Sequence, residues 1–377
     1  MGGKFRICKE KRMAAARFTS DTLIVFLSMF LVTGTAFAAS LGMVTDNKSD
    51  ELRLFDAETG VTVASLQGFA GRINGDCALS KDESTAFSSH AGRHISVFQL
   101  ANSAAGNSAD ISSIEISNAG VDMSLSPDGQ LLVTTGAGNA YDALSIVDTA
   151  ARVEVATSEP CLDHTAAEFC DDGTLLVTTT FGDSFAKPYD NAMYDARVSS
   201  EGELQLVGNR ISSGAQPNNG SCAPGSRSGV LLDRQAGLTS FTLPGLEKAD
   251  FAELHGATAV AAVFNRSGDR LYVRTSEAVE AFDFNPLNGM MQADWVQPVP
   301  FSSEYFGIDQ IAMDLDSGRL YVDGGQELFI LDPENGQQTG SIGTGDATGV
   351  CFAQRQPHSP IPDIVFNESI VELPRYN

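Results

Sequence analysis

The sequence predicts an all-β fold, and three observations carry the prediction. Short runs of alternating apolar residues are punctuated by Gly, Pro, Asp and Asn, the pattern of strands joined by tight turns. Beyond the first 38 residues no stretch sustains the apolar spacing of a helix. The strand-and-turn pattern also recurs with a period of about 40–50 residues, four strands to a unit. A sheet that small cannot bury both faces alone, so it stacks on its neighbours around an axis. The predicted architecture is therefore a seven-bladed β-propeller of four-stranded antiparallel blades. A sandwich is disfavoured, because sandwiches do not repeat at this period.

The N-terminus reads differently from the rest. Residues 4–17 are basic, Thr22–Gly34 is apolar, and Ala36-Phe37-Ala38 presents the small residues of a cleavage site. That is the layout of a secretory signal peptide over 1–38, with Ala39 as the first mature residue. Met13 would start a signal of ordinary length. Thirteen apolar residues fall short of the ~20 that span a bilayer, so no membrane span is expected after cleavage.

Residues 39–355 hold the repeats. In 119–155, Val121, Met123 and Leu125 alternate before the turn Ser126-Pro127-Asp128-Gly129. Leu131–Thr135, Leu144–Asp148 and Val153–Val155 complete the unit. The run Leu-Leu-Val-Thr-Thr returns at Leu175, 44 residues after Leu131, and Leu-Tyr-Val at 271 returns at 320, a step of 49. First strands fall near 73–79, 119–126, 164–170, 217–224, 258–265, 307–314 and 347–354. The 217–224 unit is the weakest, so counts of six and eight stay open.

The ends of the domain complement each other. The strand near 347–354 has no blade after it, while 41–66 holds three strands lacking a first one. Pairing the two closes the ring and removes a free sheet edge. Beyond it, residues 356–377 carry Pro357, Pro360, Pro362 and Pro374 and read as an extended tail.

Charge excludes one class of partner. The chain has 48 acidic and 24 basic residues. Removing the six basic and two acidic residues of the leader leaves 46 against 18, a formal −28. Such a surface repels phosphate backbones, so no nucleic acid is expected. Five cysteines follow the leader: Cys77, Cys161, Cys170, Cys222 and Cys351. None has the spacing of a metal or redox motif. We expect at most one disulfide, Cys161 with Cys170 or Cys222, and buried free thiols at Cys77 and Cys351.

The motifs Ser126-Pro127-Asp128-Gly129, Leu320-Tyr321-Val322 and Ile330–Gly336 resemble those of YVTN-type, WD40-like seven-bladed propellers of exported prokaryotic proteins. The resemblance covers roughly 41–354 and implies a propeller in the periplasm or outside the cell. That family includes lactonases, amine-oxidising enzyme subunits and pure binding proteins, so it does not choose an activity. The Trp-Asp and Gly-His marks of true WD40 repeats are absent, and one tryptophan disfavours a quinoprotein.

Site candidates lie at the predicted channel mouth. Loops 136–142 and 181–191 both follow a Thr-Thr strand end and both contain Tyr-Asp. Tyr141, Asp142, Phe181, Phe185, Tyr189 and Asp190 would form an aromatic and acidic rim for a protein or small-molecule partner. Self-packing of long loops explains them equally well. Asp163 and His164, at the start of a first strand, could serve as a general base. No nucleophile motif accompanies them. His90 and His94 flank Gly92 without a zinc spacing, and Asp-rich turns such as 314–318 are explained by turn formation. No metal or cofactor is expected. The expected function is an exported binding or scaffold module, ahead of a hydrolase or lactonase acting at the channel mouth through Asp163 and His164.

Overall fold

A computed structural model describes residues 40–353, other than 47–50, 68–74, 90–92, 101–109, 119, 137–143, 158–163, 180–191, 199–203, 213–216, 235–236, 257, 301–309 and 346. Its strands form seven four-stranded antiparallel sheets, each running from an innermost strand at the axis to an outermost one. Blade 1 spans 77–115, blade 2 120–157, blade 3 164–211, blade 4 217–252, blade 5 259–298 and blade 6 311–343. Blade 7 joins the two ends of the domain: Ala347–Phe352 is its innermost strand and Leu41–Asp46, Glu51–Asp56 and Thr62–Gln67 follow outward. The seam is antiparallel, with Met43 opposite Cys351 and Val44 opposite Val350. The count of seven and the predicted closure both hold, and the doubtful strand near 217–224 is the regular Pro217–Cys222. Among the described residues there is no helix.

The core explains why inner strands lack a polar face. Seven apolar clusters fill the seven junctions between neighbouring blades, so alternate residues of one strand serve opposite neighbours. Met43 packs towards blade 1 while Val44 packs towards blade 6. Leu132 faces blade 1 and Val133 faces blade 3. Only outermost strands return to strict alternation, as in Val153–Thr157, where Val153 and Val155 are exposed. Burial of a Leu or Val contributes ~1.5–3 kcal/mol, and each blade needs both neighbours to collect it.

Turns carry the repeat seen in the sequence. Between third and fourth strands of blade 6, Asp332 Oδ1 accepts from the Glu334 backbone N–H at 2.8 Å. Gly336 N–H donates to Asp332 O at 2.8 Å, with φ +72° at the glycine. A Cβ there would also fall 2.7 Å from the Trp295 ring of blade 5, so this turn docks on the chain's one tryptophan. In blade 2 Arg152 takes the same left-handed position at φ +56°.

The cysteines correct the sequence reading. Cys77 of blade 1 and Cys351 of the closing strand form a disulfide, with Cα atoms 6.0 Å apart. Cys170 and Cys222, on blades 3 and 4, form a second, with Cα atoms 5.4 Å apart. Innermost strands converge on the axis, which brings matching residues of adjacent blades within the ~7 Å a bridge requires. The same matching that suggested buried thiols at Cys77 and Cys351 is what bonds them. Cys161 lies outside the described residues.

Candidate binding site

The seven innermost strands enclose a channel. Small side chains keep it open: Ala78, Ala167, Ala262, Ala312, Ser124 and Ser221 all line it. The resulting cavity measures about 190 Å³ and draws residues from every blade. Its lining runs down the strands to Lys81, Gly129, Asp171 and Pro224, in the turns joining first and second strands. By the up-and-down order of the strands, the connections between second and third strands, and those between blades, lie at the other end. The cavity therefore leans towards the mouth opposite the one where the sequence put the rim.

Polar groups of the inner strands hold the blades in register. Met123 N–H donates to Asp76 Oδ2 at 3.1 Å, and Ala167 N–H to Asp122 Oδ2 at 2.9 Å. Phe169 N–H donates to Ser124 Oγ at 3.1 Å, and Asn218 Nδ2 to Val260 O at 2.8 Å. Each links one blade to the next. Bulges at the start of the innermost strands in blades 2, 3, 4, 5 and 7 re-aim residues where the channel begins. Two disulfides add covalent links at the same radius. The lumen is thus rigidly framed.

Its chemistry is mixed. Met123, Leu125, Phe169, Phe264, Met313 and Phe352 supply apolar surface. Asp122, Glu168 and Asp171 supply carboxylates, and Lys81 is the cation among the described lining residues. Lys81 Nζ donates to Pro127 O and sits in the field of Asp128. Asp171 Oδ2 accepts from Gly225 N–H at 2.7 Å, in the turn of the next blade. Glu168 is half-buried; its Oε1 accepts from Ser221 Oγ and Cys222 N–H, both at 3.4 Å. Sequence reading passed over Glu168, Asp122 and Asp171 because nothing in their spacing marks a site; they converge only when blades close.

Tyr141, Asp142, Phe181, Phe185, Tyr189, Asp190 and Asp163, which the sequence reading assigns to the other mouth, lie outside the described residues, as does His90. His164 opens the innermost strand of blade 3, paired with Thr179. Two described features anchor this end. Arg274 is fully buried and donates to Ala278 O, Val299 O, Pro300 O and Asp323 O, tying blade 5 to blade 6. Burial pulls its pKa down to about 10. Buried Glu280 accepts from the backbone N–H groups of His255 and Gly256 and stands 3.0 Å from His255 Nδ1. Among the described residues no group of three or more His, Cys, Asp or Glu is placed to hold a metal ion.

Comparison with known proteins agrees with this architecture. No family model and no curated protein matches the sequence. Among solved structures, a protein of unknown function from Desulfotomaculum acetoxidans matches with TM-score 0.72 and 16% identity, over 84% of this chain and 99% of its own. A Bacteroides fragilis protein provisionally assigned as a 6-phosphogluconolactonase matches with TM-score 0.64 and 13% identity, over 85% and 100%. The β-propeller domain of Cps50 from Myceliophteria thermophila matches with TM-score 0.56 and 9% identity, over 74% and 89%. Identities this low carry the fold alone: the chain is a seven-bladed β-propeller.

Proposed function

We propose that the protein is an exported binding module of the YVTN-like type, seating a small ligand in its central channel. The observation that carries the reading is the cavity of about 190 Å³, built from all seven blades and lined by apolar and polar groups together. Pockets of mixed lining in a rigid frame are the usual seats of small ligands. Residues 1–38 would direct export and be removed, placing the domain in the periplasm or outside the cell; two disulfides accord with an oxidising compartment. Tyr141, Asp142, Phe181, Phe185, Tyr189 and Asp190 would gather a partner or guide a ligand at the other mouth.

A thermal-shift screen of small metabolites tests the reading. Compounds that raise the melting temperature of the wild type should lose their effect in Ala262→Phe, which fills the channel. A screen with no stabilising compound, or one whose compounds stabilise the filled variant equally, overturns it. Hydrolysis of a sugar lactone by the wild type, abolished in His164→Ala, would replace it with the lactonase reading.

A further inference from the structure

We propose that the seam disulfide Cys77–Cys351 is a thiol-exchange site: a small thiol entering the central channel reduces it, and the Ser88 hydroxyl stabilises the Cys77 thiolate that leaves. The inference goes beyond ligand seating, since it uses the channel as the path of a reagent and needs no bound ligand.

Access separates the two bridges. Cys77 and Cys351 are 2% and 9% exposed, so a bulky reagent meets little of either, yet both line the channel. On their other side lies the apolar cluster between blades 7 and 1, so the channel is the open side of this bridge. Of the second bridge, Cys222 lines the channel while Cys170 packs with Leu176, Met193 and Phe241. A dry cavity of ~150 Å³ is enough for benzene. The channel's 190 Å³ therefore admits a thiol smaller than one aromatic ring and excludes a tripeptide.

Ser88 supplies a donor beside the sulfur. It is fully buried in Thr85–Ser89, the second strand of blade 1, directly opposite Cys77. Residues paired across an antiparallel ladder share a face, with Cβ atoms ~4.5–5.5 Å apart. Ala86, two residues earlier, packs towards blade 7 with Cys77, while Phe87 packs towards blade 2. Ser88 therefore projects into the same junction as the bridge. Among the described residues its hydroxyl has no hydrogen-bond partner. An unmet buried hydroxyl is a net cost to the fold, and a thiolate beside it would supply the acceptor. The second bridge differs: opposite Cys222 stands Gly229, where an added Cβ would fall 2.3 Å from Ser221 O. No hydroxyl reaches Cys222 from that position.

The exchange balances with the thiol alone. A thiolate RS⁻ attacks Sγ of Cys351, the more exposed of the two residues. The new S–S bond forms as the Sγ–Sγ bond breaks, and the electron pair leaves on Cys77 Sγ. The Ser88 O–H donates to that sulfur and lowers its basicity, and thiols of lower pKa leave faster. A second RS⁻ attacks the thiol-derived sulfur of the mixed disulfide, releasing RS–SR and the Cys351 thiolate. Two RSH thus give up two electrons and two protons; the bridge takes the electrons, and the protons end on the two cysteines. Excess RS–SR runs the same steps backwards and restores the bridge. In the reduced ring the closing strand Ala347–Phe352 keeps its pairing with Leu41–Asp46 and loses its covalent tie to blade 1.

Timed alkylation of the folded protein, mapped by mass spectrometry, tests this. In excess 2-mercaptoethanol at pH 8 the wild type should open Cys77–Cys351 at least about tenfold faster than Cys170–Cys222. Glutathione, a tripeptide, should bring that ratio close to unity; taking the ratio cancels the intrinsic reactivity of each thiol. Ser88→Ala should slow opening of the seam bridge about threefold or more and leave Cys170–Cys222 unchanged. Once reduced, wild-type Cys77 should alkylate with a midpoint at lower pH than Cys351, and Ser88→Ala should raise that midpoint. Equal opening of the two bridges by 2-mercaptoethanol, or equal selectivity with glutathione, overturns the channel route. A wild-type rate and midpoint in Ser88→Ala overturn the role of Ser88. Should that variant not fold, a Cys77 midpoint at or above that of Cys351 in the wild type overturns Cys77 as the leaving thiolate.

Discussion

The seam disulfide should be worth more than its counterpart, because it closes a far longer loop. Cys77 and Cys351 are 274 residues apart, Cys170 and Cys222 only 52. In the chain-entropy description a cross-link removes freedom from the unfolded chain in proportion to the logarithm of loop length. That gives about 5–6 kcal/mol for the seam bridge and about 4 kcal/mol for the other, a difference of about 1.5 kcal/mol. Location adds to the contrast. The strand Ala347–Phe352 reaches its own blade only through Leu41–Asp46, and its covalent link to blade 1 is the disulfide, which lies within the apolar cluster at that junction. We expect the double variant Cys77→Ser/Cys351→Ser to lose about 2–5 kcal/mol, the range seen when native bridges are removed, and Cys170→Ser/Cys222→Ser to lose less. Guanidinium unfolding of both variants and the wild type without reductant measures the three stabilities. Equal losses, or a seam variant as stable as the wild type, would refute the loop argument.

Two further outcomes follow from single contacts. Tyr321→Phe removes a hydroxyl that donates to Ala57 O at 2.5 Å across the junction of blades 6 and 7, while Arg319 Nη1 still serves that carbonyl at 2.9 Å. The loss should be about 1 kcal/mol at neutral pH. Burial pushes the Tyr321 pKa up to about 12 from 10.0, so the wild type should lose stability as pH rises through that window and the variant should not share this loss; matching alkaline profiles would refute it. In acid, hydrogen bonds from Ser80 and Ser84 hold Asp82 below its usual 3.8, and those from Ser267 and Asn265 do the same for Asp269. Their stabilisation is present above pH 3.8 and fades as pH falls through the lowered values. Asp82→Asn/Asp269→Asn should flatten the acid limb of a melting-temperature profile; an unchanged limb would show that these turns contribute nothing.

The repeat was legible because it is written in turn residues, and turns are local. Gly129, Gly173, Gly268 and Gly318 all adopt positive φ, the conformation for which glycine is suited, and each follows its first strand at the same distance. From them the four-stranded unit, the count and the closure followed. The lumen was not legible. Glu168 sits in His164–Phe169 between Ala167 and Phe169, and Ser221 and Cys222, which it meets, lie 53 and 54 residues away on another blade. The disulfides failed for a related reason. Matching positions at Cys77 and Cys351 were recognised, but how near the axis brings them is a property of the ring and not of either strand. Arg274 shows the limit most clearly: nothing in Leu-Tyr-Val-Arg-Thr marks an arginine that is fully buried on four carbonyls.

A propeller that binds at its axis faces a conflict between an open lumen and a stable ring. Large apolar residues at the axis would bury more surface, yet they would fill the space a ligand needs. Here Ala78, Ala167, Ala262, Ala312, Ser124 and Ser221 keep the lumen open beside larger residues such as Phe169 and Phe264, and further bulk is placed one strand out, at Phe87, Tyr272 and Tyr321, where it fills the junctions. Less apolar burial at the axis is offset by other means. Backbone N–H groups of one blade donate to side chains of the previous one, and two disulfides join neighbouring inner strands. Those links constrain the lumen without occupying it. A rigid lumen also loses little freedom on binding, which favours affinity for a small ligand making few contacts. The same economy explains the carboxylates: Asp122 and Glu168 accept from the adjacent blade and also line the cavity, so groups that fasten the ring supply part of the polar side of its lining.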